Sequence, residues 1–128
     1  MVLFVTGAVL AQAPAFQPVA SVLQLMEAVV VPSSEALFDV GDNPPKDDKA
    51  WVTLRNNAVI LAESGNLLMM RPKDNGDWMK YSRMLVDAGA FAVKAAEAKD
   101  LGKFDEVADQ ATRACEMCHD QYVKKGKK

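Results

Sequence analysis

Cys115-Glu116-Met117-Cys118-His119 is the stretch of this chain whose residue types and spacing could do chemistry. Two thiols lie three residues apart, and an imidazole follows the second directly. The chain has no other cysteine and no other histidine. On an α-helix, positions i, i+3 and i+4 share one face, so both sulfurs and the ring point the same way. C-x-x-C-H is the spacing at which c-type haem is attached: each thiol adds across a porphyrin vinyl group, and the histidine nitrogen binds the iron. Other readings of the same residues stay open. A dithiol redox pair expects a βαβ setting, half a zinc site still needs a fourth ligand, and two buried cysteines can simply be small hydrophobes.

The rest of the composition narrows the choice. With 128 residues the chain is one ordinary domain, half of it hydrophobic and a quarter charged, so it can build a core. Two cysteines and one histidine exclude a zinc finger, a disulfide scaffold and a four-thiolate iron–sulfur cluster. A net charge of −2 argues against nucleic acid as a partner. That average hides a split. Lys124, Lys125, Lys127 and Lys128 form a basic end, whereas 11 bases and 17 acids precede it, a balance of −6. No second histidine serves a triad, no G-x-S-x-G occurs, and the apolar seams carry no paired carboxylates, so an enzyme is not expected.

Four stretches must position the motif, and all four are helical in period. The first, from about Pro18 to Asp39, carries Val22, Met26 and Val29, with a kink or break expected at Pro32. The second, from about Asp47 to Met70, has the seam Trp51, Leu54, Ala58, Leu61, Gly65 and Leu68. The third, Asp77 to Asp100, repeats it with Trp78, Tyr81, Leu85, Ala88, Ala92 and Ala95, and Leu101-Gly102 closes it. The fourth, Lys103 to Lys124, has Phe104, Ala108, Ala111, Cys115, Cys118 and Tyr122. Steps of three and four on successive helices with short connections predict an all-α, antiparallel four-helix bundle. Its small-residue seams predict either close helix approach or a bulky molecule in the interior.

Residues 1–13 read MVLFVTGAVLAQA, an apolar run ending in small residues, as in the core and cleavage end of an export signal. A basic leading region is missing, so the expected start lies upstream of Met1. The expected division is a signal at 1–13, a bundle at 14–124 and a basic tail at 125–128. No later stretch is apolar enough for stable membrane insertion.

A four-helix bundle with C-x-x-C-H on its last helix resembles the class II c-type cytochromes, the cytochrome c-prime family. The aromatic three residues after the histidine, Tyr122 in His119-Asp-Gln-Tyr, also matches. The resemblance spans about Pro18 to Lys124. It implies one covalent haem c on Cys115 and Cys118, His119 as proximal iron ligand, and electron transfer with redox partner proteins in the periplasm. It also implies two alternatives to be weighed: a five-coordinate protein binding NO or CO, and a homodimer formed through the first two helices. A haem-free helical adaptor with a structural cysteine pair is the reading from another class. Low-spin members take a distal methionine from the first helix, often in a Leu-Met pair, and Leu25-Met26 fits. High-spin members place a base on the first helix beside a haem propionate. Here residues 1–45 contain no Lys or Arg, which leaves Arg113 and Lys124 as candidates, with Tyr122 in the haem environment. Trp51, Trp78 and Tyr81 are candidates for the haem edge.

Overall fold

A computed structural model describes residues 15–74 and 76–123. The expected signal segment, Lys124 and the basic tail lie outside the described residues. Every regular element among the described residues is helical. The first bundle helix is composite: α1 (Val22–Leu25), a π-helical turn (Met26–Val30) and α2 (Val31–Phe38). It is followed by α3 (Asp48–Met69), α4 (Asp77–Glu97) and α5 (Phe104–Tyr122).

The ends of these helices follow from local side chains. Ser21 and Gln24 cap α1 reciprocally: the Ser21 hydroxyl accepts from the Gln24 N–H at 3.1 Å, and the Gln24 amide oxygen accepts from the Ser21 N–H at 2.9 Å. Asp47 caps α3 by accepting from the Ala50 N–H at 2.7 Å. The third helix stops three residues before the expected end, and Gly102 is not what ends it. Lys99 takes a left-handed backbone, φ 52°. The Lys99 and Asp100 N–H groups then bond back to the Ala96 and Ala95 carbonyls at 3.1 and 3.0 Å. Leu101–Lys103 form a 3-10 turn into α5.

The expected break at Pro32 is instead a widened turn just before it. Proline supplies no N–H and its ring crowds the carbonyl of the preceding turn. The π turn relieves that crowding, with the Val31 N–H reaching the Met26 carbonyl. One extra residue per turn also shifts the buried stripe. It runs Leu25, Val30, Ser33, Leu37 and Val40 rather than through Val22, Met26 and Val29, which are only partly buried. Met26 is thereby left at the edge of the stripe.

Contacts at the ends give the antiparallel order. Arg71, after α3, donates to the Ala20 carbonyl beside the start of α1 at 3.2 Å. Lys99 pairs with Asp48 at 2.6 Å, joining the end of α4 to the start of α3. Trp78, at the start of α4, meets Tyr122 at the end of α5 edge-on, 5.0 Å between centroids. The α3–α4 interface is the tightest. A methyl at Gly89 would lie 2.4 Å from the Ala62 nitrogen, and one at Gly65 would lie 2.7 Å from the Ser82 carbonyl. The glycines of these seams therefore serve close approach, not an interior void. The fourth seam is rotated from its expected line. Phe104, Val107, Ala111 and Ala114 are buried, whereas Ala108, Cys115, Cys118 and Tyr122 are half-buried. No helix among the described residues is long and apolar enough to cross a membrane.

Candidate functional site

The rotation of α5 sets the character of the site. Ala111 and Ala114 take the buried positions, so Cys115 and Cys118 sit at the edge of the stripe, neither locked into the core nor open to water. His119, one residue further round, is exposed. All three side chains border one open-mouthed cavity of about 70 Å³. The first helix closes the opposite wall with Met26, Val30, Val31 and Ser34. Leu68 from α3 and Tyr81, Ser82 and Leu85 from α4 complete it. The walls are overwhelmingly apolar.

The expected residues divide clearly. Cys115, Cys118, His119 and Met26 are brought together on one cavity, and Tyr81 joins them. Arg113 is exposed on α5 and does not line it. Leu25, the partner of Met26 in the Leu-Met pair, turns into the core instead. Trp51 is at the far end of the bundle, 6.4 Å from the Phe104 ring. Trp78 is a core residue whose indole N–H donates to the Leu68 carbonyl at 2.8 Å.

Tyr122 stands outside the cavity wall and fastens the last turn of α5. Its ring packs edge-on against Trp78, and its hydroxyl donates to the Asp74 carboxylate. The other Asp74 oxygen accepts the N–H groups of Gly76 and Trp78 at 3.1 and 3.2 Å, which caps α4. Beside this, the Gln121 amide donates to Asp77 at 3.2 Å and accepts from the Tyr81 hydroxyl at 3.2 Å. The turn that carries His119 is thus tied to the start of α4. The Tyr122 hydroxyl, and after it the Gly76 and Trp78 N–H groups, hold the Asp74 carboxyl below its ordinary value.

Both thiols are pushed up, Cys115 by burial and by Glu116, and Cys118 by burial and by the charge of Cys115, with Lys73 opposing. An attacking thiol of a dithiol oxidoreductase is shifted the other way. Lys73 also lies over the Trp78 ring at 5.2 Å. A base that acts on Cys118 therefore comes from the segment between α3 and α4.

Ser82 is the residue that sequence reasoning missed. It is 2% exposed, lines the cavity, and its hydroxyl has no hydrogen-bond partner. Serine at a buried helical position carries no pattern that would single it out. The chemistry of this lining, apolar walls with two thiols, one imidazole and one unsatisfied hydroxyl, suits an apolar group held by sulfur and nitrogen. Haem c is such a group, and Cys115, Cys118 and His119 are the side chains that would hold it. No family model, curated protein or solved structure matches this chain.

Proposed function

We propose that this protein is a mono-haem c-type cytochrome of the class II kind, an exported single-electron carrier working in the periplasm. The observation that carries this reading is the shared cavity: the only two cysteines and the only histidine of the chain border it together, opposite Met26. Bound haem would supply the iron that accepts and returns one electron. The chain's own part is to hold and orient that group. Cys115 and Cys118 would anchor it by thioether bonds, His119 would bind the iron, and the apolar walls would keep water off the ring. Met26 borders the same cavity from the first helix and would be the distal ligand, where a neutral thioether would favour reduced iron and raise the potential.

A five-coordinate gas-binding protein is the second reading. Val30 and Val31 flank Met26 on the same wall and would leave an apolar distal face if Met26 only packs. Absorption spectra of the chain, expressed with haem-maturation machinery, separate the readings. Electron transfer with Met26 as ligand predicts a low-spin ferrous spectrum and a ferric methionine-to-iron band, the band lost in Met26→Ala. A high-spin ferrous spectrum with rapid carbon monoxide binding selects the gas binder, and a colourless protein selects the haem-free adaptor.

A further inference from the structure

Ser33, Ser34, Ser64 and Ser82 are all buried in helices. Three of them satisfy their hydroxyls within their own helix. Ser33 donates to the Val29 carbonyl at 2.7 Å, Ser34 to Val31 at 3.0 Å and Ser64 to Leu61 at 2.6 Å. Ser82 has a carbonyl one turn behind it as well, yet its hydroxyl is unpartnered. An orphaned buried hydroxyl is destabilising, because nothing offsets the loss of its bonds to water. No group lining the cavity accepts from it.

We propose that the Ser82 hydroxyl donates a hydrogen bond to an acceptor carried by the molecule that fills this cavity. The inference rests on the haem reading, under which the acceptor is either a propionate oxygen or the atom at the iron's sixth position. Haem offers no other strong acceptor at its periphery. Ser82 is then a positioning residue that selects one seating of the ring within an otherwise apolar slot.

The sign of one substitution tests this. Where nothing accepts from Ser82, Ser82→Ala removes an unsatisfied group and leaves the haem-loaded protein equally or more stable. With an acceptor present, the same change lowers the folding equilibrium constant of the holoprotein by roughly five- to tenfold and shifts the reduction potential. Ser82→Cys, a near-isosteric weak donor, falls between. Ser64→Ala, whose hydroxyl is satisfied by its own helix and which does not line the cavity, leaves the potential unchanged. A propionate acceptor appears as an altered pH dependence of the potential with axial bands unmoved. A sixth-position acceptor appears as a shift of the ferric ligand band or of the carbon–oxygen stretch of the carbon monoxide adduct. A haem-bearing wild type with a silent Ser82→Ala, or one that loses stability with potential and spectra unmoved, overturns this inference alone. A wild type without haem overturns the functional proposal and this one together.

Discussion

His119 and Met26 border one cavity from different helices, but they reach it by different routes. His119 follows Cys118 on the exposed flank of α5, and its position is fixed by the helix and by the fastening at Tyr122. Met26 is displaced to the cavity edge because the π turn carries the buried stripe on to Leu25 and Val30. The grouping of the first residue with the two cysteines was legible from the sequence, since C-x-x-C-H on a helix keeps the three side chains together. Met26 was singled out only through the Leu25-Met26 pair, and its partner Leu25 turns into the core instead. Ser82 was not legible at all, because its importance lies in a bond it fails to make. His119→Ala should retain thioether attachment while losing the proximal bond to iron. Equilibrium unfolding should then shift to lower denaturant, and the low-spin spectrum should vanish. An unchanged spectrum would remove His119 as the ligand.

At the scale of elements, the four helices were readable because their apolar residues repeat in threes and fours. Their phases were not. The widened turn before Pro32 adds one residue to the first helix, which shifts its stripe in a way that a regular period cannot express. The seam of α5 is rotated, with Val107 and Ala114 buried where Ala108 and Cys115 were expected. The end of α4 was misplaced for a related reason: Lys99 occupies the left-handed position that glycine favours, so Gly102 was a misleading signal. Two consequences can be measured. Gly89→Ala sets a methyl against the Ala62 backbone, where no flexible side chain can give way. The overpacking outweighs the roughly 1 kcal/mol gained in helix propensity, so a net loss of about 1–2 kcal/mol is expected. Thermal unfolding should show a drop of several degrees. The second consequence concerns the cap at Asp74. Its folded value lies below the ordinary 3.8, so the stability it contributes is complete above 3.8 and fades as pH falls through the lowered value. Urea midpoints of wild type and Asp74→Asn should therefore differ at neutral pH and converge in strong acid. A gap that persists there would show that the cap does not depend on the carboxylate's charge.

Across the whole molecule, the sequence divides its charge between an acidic body and a basic end, although the net charge is only −2. Electron exchange with a charged partner protein should slow as ionic strength rises, because such attraction is screened over roughly 8–10 Å at physiological salt. Rates that do not change between low and high salt would place docking on apolar contacts instead. The fold as a whole serves one end of the bundle: α3, α4, α5 and the first helix each send at least one side chain to the cavity bordered by Cys115, Cys118 and His119. The account stands or falls on what fills that cavity. Intact mass spectrometry of the chain matured in a haem-attaching host tests it most directly. The expected mass exceeds the polypeptide by one haem, the excess survives acid–acetone extraction, and it disappears when Cys115 and Cys118 are both changed to serine. A wild-type protein of bare polypeptide mass would contradict the account.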